Sequence, residues 1–250
     1  MKRRGFLKAM GLGCIGCLIH PRFVEAAATP RYNKAMLLRR YDAGAERRRM
    51  LYSSLFNPDE LEGILMEMRA SYESVIPEMP YIGLTDFHLQ WFIPNCEKLA
   101  DYLVAKKFGV DMLQFSNLHL AQEERDLLER YTEEELVQIG SMQFGPVAEL
   151  QMRLRAWRSQ LRLYPEAHVF YFVKGDGEDF DWGLDYVQCA NMIFYSRYNE
   201  QDLLLHLVCN ADYVAGKVMR TGYHRTTELA TGGTKCDLRW KKGVVSTMPG

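Results

Sequence analysis

The 250-residue chain has little of what marks the commoner functional classes. It has no internal repeat, no low-complexity linker, and no apolar run near the roughly 20 residues a helix needs to cross a bilayer. Its charges nearly balance, 31 basic against 32 acidic, so it presents no electrostatic footprint for nucleic acid. Past residue 28 there is no Cys-x-x-Cys, and nowhere is there a His-x₃₋₅-His. That removes the thioredoxin and zinc-finger patterns. The acidic stretch Asp176, Glu178, Asp179, Asp181 lacks the spacing of an EF-hand and reads as a solvated turn.

What the chain does have starts at its first residues. Arg3-Arg4 followed by Gly5-Phe6-Leu7-Lys8 is a twin-arginine export pattern. An apolar stretch runs from Ala9 to Ile19, and Ala26-Ala27-Ala28 offers small residues to a signal peptidase. The stretch is too short for a stable span, so residues 1–28 read as a cleaved signal and the expected location is periplasmic or exported. The alternatives are a basic amphipathic N-terminus that stays attached, or a lipid at Cys17, which fits poorly because Cys14 rather than Leu stands three residues before it. The twin-arginine machinery is thus an expected partner. Because it carries folded proteins, a cofactor acquired before export, such as a divalent metal, is a further expectation with no ligands assigned.

Residues 1–28 hold five basic side chains and one acid, so the remainder carries 26 basic against 31 acidic, a formal −5. The hydrophobic content of 48% is enough for a sizeable core in one domain. Four cysteines remain, Cys96, Cys189, Cys209 and Cys236, for which an oxidising compartment allows three disulfide pairings.

The pattern is helical over 29–165. Asn57-Pro58-Asp59-Glu60 and Thr132-Glu133-Glu134-Glu135 are helix starts, and Pro94 and Pro146 should kink or end their segments. Arg153, Arg155, Arg158 and Arg162, mixed with Met152, Leu154, Trp157 and Leu161, predict an amphipathic helix with a solvated face. From 166 to 243 the signal changes, leaving 244–250 as a tail. His168–Val173 is aromatic and β-branched and predicts a strand. Trp182–Tyr195 predicts a second strand holding Cys189, and Asn199–Val218 a helix. Gly222–Ala230 and Lys235–Trp240 predict a hairpin about Thr231-Gly232-Gly233. Segregated helices and strands make the expected class α+β, a helical region followed by a small antiparallel sheet with a packed helix.

The candidate chemistry is concentrated after residue 182. Cys189 sits in the apolar run Tyr186–Tyr195, Cys209 opens Cys209-Asn210-Ala211-Asp212, and Cys236-Asp237 follows the glycine pair. On these residues, with Thr226-x-x-Leu229-Ala230-x-Gly232-Gly233-x-x-Cys236-Asp237 and the strand to Arg239, the chain resembles the L-2-amino-thiazoline-4-carboxylic acid hydrolase family. Leu238 and Trp240 stand where that pattern has Phe. The resemblance implies a hydrolase that opens a small cyclic amidine ring by adding water to C=N and breaking C–S. Such chemistry calls for a base, an acid, and a cation for the substrate carboxylate. Asp212 and Asp237 are the candidate bases, His224 or His206 the acid, and Arg225 or Arg239 the carboxylate clamp. Cys189 is a candidate substrate contact. Cys209 and Cys236 are candidate catalytic thiols, Cys236 as a nucleophile if Lys235 or Arg239 lowers its pKa. Each has a plainer reading: buried cysteine is most often a small hydrophobe, His206 between leucines suits a helix interior, and Asp237 suits a backbone-capping role. A non-catalytic binding or maturation protein on the same fold is the alternative reading.

The export pattern is tested directly. Replacing Arg3 and Arg4 together by Lys should leave the precursor in the cytoplasm on fractionation, and unchanged delivery of the double variant would remove the assignment.

Overall fold

Side-chain oxygens decide where the helices begin. The structure, a computed structural model, describes residues 31–248; the signal expected at 1–28 lies outside the described residues. Asn33 accepts the Met36 amide to start α1 (Lys34–Ala43), which leads into α2 (Ala45–Tyr52). Asn57 accepts from Asp59, with Pro58 first in α3 (Pro58–Val75). After α4 (Leu89–Ala105), Asp111 caps α5 (Met112–Arg130). Thr132 and Glu135 form a reciprocal capping box on α6 (Glu133–Met142). Pro146 opens α7 (Pro146–Gln160), where its missing N–H costs nothing. Pro94 does not end its segment: it falls in the second turn of α4, which continues with Cys96, Leu99 and Ala100 buried.

The helices share a large apolar core that also takes in Phe194, Tyr195 and Leu207 from the C-terminal part. Inside it lies a polar knot. The Tyr41 and Tyr52 hydroxyls donate to Asp101, and Arg48 reaches Asp101 at 3.4 Å and Glu97 at 2.9 Å. Burial raises the Asp101 carboxyl, while Arg48 and the two tyrosines oppose that rise. One acid so joins α1, α2 and α4.

The sheet has three antiparallel strands in the order β1 (Val169–Lys174), β2 (Trp182–Gln188), β3 (Cys236–Trp240). The register Phe170↔Tyr186↔Cys236 and Phe172↔Leu184↔Leu238 puts these residues on one face, with Trp182 and Trp240 paired at the end. That face packs with Ala156 of α7 into a second core. The opposite face carries Asp185, Asp237 and Arg239, as a period of two requires. The fold is α+β. From Tyr32 on the chain forms one compact unit.

Three local expectations are corrected. The second strand stops at Gln188, because β1 starts at Val169 and offers nothing to pair further with. The next residues turn helical instead, as α8 (Ala190–Ser196). The expected hairpin is reduced to a single bridge, His224↔Arg239. Asp237 takes the amides of Thr226 and Thr227, so Arg225–Lys235 becomes a loop with a short 3₁₀ turn rather than a strand. In α7 the face toward the sheet is Ala156, Met152 and Ser159, whereas Leu154, Trp157 and Leu161 point to solvent, Trp157 with 62% of its surface exposed.

A last helical stretch follows: α9 (Gln201–Leu203), a π turn over Leu204–Cys209, and α10 (Asn210–Met219). The end of α10 comes so close to α6 that a Cβ on Gly140 would meet the Met219 carbonyl at 2.1 Å. Gly63, exposed within α3, has nothing within 4 Å of such a Cβ. Gly140→Ala should therefore destabilise by about 1–3 kcal/mol through overpacking. Gly63→Ala should stabilise by roughly 0.5–1 kcal/mol through helix propensity. Denaturant midpoints of the two variants shifting in the same direction would refute this.

Candidate functional site

Four elements bring Cys189, Cys209, Cys236 and Asp212 near one another. Cys236 opens β3 on the core face of the sheet, opposite Tyr186. Cys189 sits at the junction of β2 and α8, three residues beyond Tyr186. Cys209 closes the π turn, and Asp212 follows it one turn later in α10. The extra residue per turn in a π segment re-aims the chain that follows, a feature frequent at functional sites. A charge on Cys236 or Asp212 is felt by both Cys189 and Cys209, and Tyr186 feels Cys189, Asp212 and Cys236. All three thiols are half-buried and free.

The electrostatics give these residues different roles. Burial pushes Cys189 up to about 12, although the approach of the Met192 and Asn191 amides works the other way. Burial likewise raises Cys209 and Cys236, with Arg225 opposing in both cases and the Leu229 amide, 3.2 Å from the Cys236 sulfur, opposing in the second. At neutral pH these are protonated thiols and poor nucleophiles. The cations expected to activate Cys236 lie elsewhere: Lys235 and Arg239 both bind Asp185, Arg239 from the far face of the sheet. Asp212 keeps contact with solvent, yet surrounding protein pushes its carboxyl up to about 6; Arg225 opposes the rise and Glu123 adds to it. Surface contact and desolvation pull opposite ways here. The crowding sets the direction, and the water that reaches the group limits its size. Tyr223 Oη, fully buried, approaches this carboxylate without forming a well-shaped hydrogen bond.

Arg225 is not a ligand clamp. Only 3% of its side chain is exposed, and its donors go to Glu228 Oε1 at 2.9 Å, the Cys209 carbonyl at 2.9 Å and Asn210 Oδ1 at 3.0 Å. It positions the cluster. Asp237 accepts the Thr226 and Thr227 amides at 2.7 Å each and the Thr226 hydroxyl at 2.6 Å. Burial would raise it, but these bonds outweigh that and hold it below the ordinary carboxylate range. It fastens the loop and faces away from Cys236. His224 pairs through its backbone with Arg239, and its ring Nδ1 meets the Gly222 carbonyl at 3.3 Å. His206 lies within the π turn.

Among the described residues no three His, Cys, Asp or Glu are grouped to hold one ion. Nor is any described helix long and apolar enough to cross a membrane. Sequence reasoning missed a second polar group beside the cluster. His88 Nδ1 donates to Asp86 at 2.9 Å, and its Nε2 accepts from Tyr186 Oη at 2.9 Å; the His168 ring lies tilted against the His88 ring, 4.0 Å between centroids. His88 and Asp86 lie about a hundred positions from Tyr186 and the motifs, so no local pattern announced the pairing. Cavities of about 420 and 230 Å³ lie in that direction, and neither is lined by Cys189, Cys209, Cys236 or Asp212. Comparison with protein-family models, curated proteins and solved structures gives no match.

The two aspartates should separate by pH. The folded Asp212 carboxyl titrates near 6, above the roughly 3.9 of an unfolded chain. The folded state then holds the proton more tightly, so this group's contribution to stability declines as pH rises through that window and stays low above it. Asp212→Asn should lose that decline and melt no lower than wild type at pH 7. Asp237 is depressed, so its contribution is full above the unfolded pKa and fades as pH falls through the folded value. Asp237→Asn should cost roughly 1–3 kcal/mol at pH 7. Parallel melting curves for both variants from pH 3 to 8 would contradict the assignment.

Proposed function

We propose that this chain is an exported hydrolase of the L-2-amino-thiazoline-4-carboxylic acid hydrolase type, opening a small cyclic amidine ring. One observation carries the reading: Asp212, a carboxylate open to solvent, stands one turn after Cys209 with Arg225 bonded to the Cys209 carbonyl behind it, and the surrounding protein pushes its pKa up, to about 6. A group with that pKa accepts a proton from water and returns it within one turnover, which is what ring opening asks of a general base and acid. Asp212 takes one water proton as the oxygen bonds to the ring carbon of C=N and passes it to the ring nitrogen. The tetrahedral intermediate then collapses: the hydroxyl proton goes to Asp212 as the carbonyl forms, the C–S bond breaks with its electron pair on sulfur, and Asp212 returns the proton so that the sulfur leaves as a thiol. Neutral Cys189, Cys209 and Cys236 give this water a low-polarity wall and do not compete as nucleophiles.

A non-catalytic binding protein is the second reading, favoured by the two cavities lying away from the cluster. Both are tested with 2-aminothiazoline-4-carboxylate and chromatographic detection of N-carbamoyl-cysteine. Wild type should produce it, and Asp212→Asn should lose about 10²–10⁴-fold in rate while staying folded. Full turnover by Asp212→Asn would remove it as the base. Binding of the ring by wild type with no product would favour the binder.

A further inference from the structure

A cavity of about 230 Å³ lies between α7 and the start of β1. Three guanidiniums border it, those of Arg155, Arg158 and Arg162. Arg153 on the same helix is neutralised by Glu149. The three at the cavity instead meet neutral groups: Arg155 lies over the Phe87 ring at 4.5 Å, Arg158 donates to Thr85 at 3.2 Å, and Arg162 donates to Gln188 at 3.0 Å. Each of these contacts leaves donors of the guanidinium fork unused. One acid, Asp86, also lines the cavity, but its Oδ1 is taken by the backbone amide and Nδ1 of His88 at 2.8 and 2.9 Å. The local balance is three cations to one engaged carboxylate.

A second observation points the same way. His168 lines this cavity with only 4% of its surface exposed. Its Nδ1 accepts the Ala190 amide at 3.4 Å, so in the neutral ring the proton sits on Nε2. That Nε2–H has no acceptor among the described residues. A buried donor left unmet costs about 1–3 kcal/mol, a cost that an acceptor arriving in the cavity removes. Phe87 and Phe170 supply the apolar part of the lining. The volume is below the roughly 300–1,000 Å³ of drug-sized sites, which limits the occupant to a small molecule.

We propose that this cavity binds a small organic carboxylate with a flat apolar body, its anion held by Arg155 and Arg158 and hydrogen-bonded by His168 Nε2–H, its ring against Phe87 and Phe170. Guanidinium forks match carboxylate geometry, and the apolar walls distinguish such an acid from a bare inorganic anion. The proposal goes beyond the hydrolytic reading and uses none of its residues.

The test is calorimetric titration of the purified full chain with benzoate, with its neutral isostere benzamide, and with inorganic phosphate. Benzoate should bind one to one, at least about tenfold more tightly than benzamide and than phosphate. It should also shift the His168 ring Nε2–H resonance. Arg155→Gln combined with Arg158→Gln, both on the exposed side of α7 and so harmless to folding, should weaken benzoate at least about tenfold at unchanged melting temperature. The proposal is overturned by the absence of benzoate binding at tens of millimolar, by benzamide or phosphate binding as tightly, or by wild-type affinity in the double variant.

Discussion

Arg225 carries a full positive charge into a place where almost none of its side chain meets water, and a charge so placed must be met by partners at the donors it presents. It is met three ways: by Glu228 in its own loop, by the carbonyl of Cys209, and by Asn210 at the head of α10. Those bonds tie the loop after His224 to the end of the π turn and so fix where Cys209 and Asp212 stand. Asp237 holds the other side of the same loop to the sheet through Thr226 and Thr227. Loop, sheet and last helix are thereby locked by one cation and one anion. The same guanidinium is the positive charge that opposes the desolvation of Asp212, so one residue sets both the geometry of the cluster and the proton affinity of its acid.

Much of the architecture was readable from local chemistry. The capping residues Asn57 and Thr132 mark helix starts because their oxygens satisfy amides that the first turn leaves free. The strand at Val169 is marked by its aromatic and β-branched run, and alternation alone places Cys236 and Asp237 on opposite faces. The failures share a cause, which is that the deciding partner is remote in sequence. Trp182–Tyr195 reads as one strand until it is known that β1 has nothing left to pair with Cys189. The hairpin fails because a carboxylate eleven residues from Thr226 takes the amides a ladder would have used. In α7 the apolar residues outnumber what one face of the sheet can cover, so small residues turn inward and Leu154, Trp157 and Leu161 turn outward.

The candidate site was half legible for the same reason. Cys209 and Asp212 are one helical turn apart, and Cys236 is placed by its strand, so sequence spacing gives their directions but not their meeting. The roles changed more than the positions. A cysteine beside Lys235 in sequence invites a thiolate, yet Lys235 and Arg239 both spend their charge on Asp185, and Gly183 is what lets the Arg239 side chain lie across the sheet to reach it. Adjacency along the chain says little about field when alternate residues face opposite sides.

Tyr186 links the two polar regions of the protein. Its ring stands on the sheet face beside Cys236, and its hydroxyl donates to His88, which is backed by Asp86 and packed against His168. Burial lowers the proton affinity of both imidazoles, and His88 is lowered further by Arg155. An anion in the arginine-bordered cavity would act against both influences at once, offering His168 an acceptor and screening Arg155 from His88. The hydroxyl of Tyr186 would feel that change directly, at a residue that already shares its electrostatic environment with Asp212 and the three thiols. Tyr186 is thus the residue that touches both regions, through one hydrogen bond of 2.9 Å to His88 and through its place on the sheet face opposite Cys236.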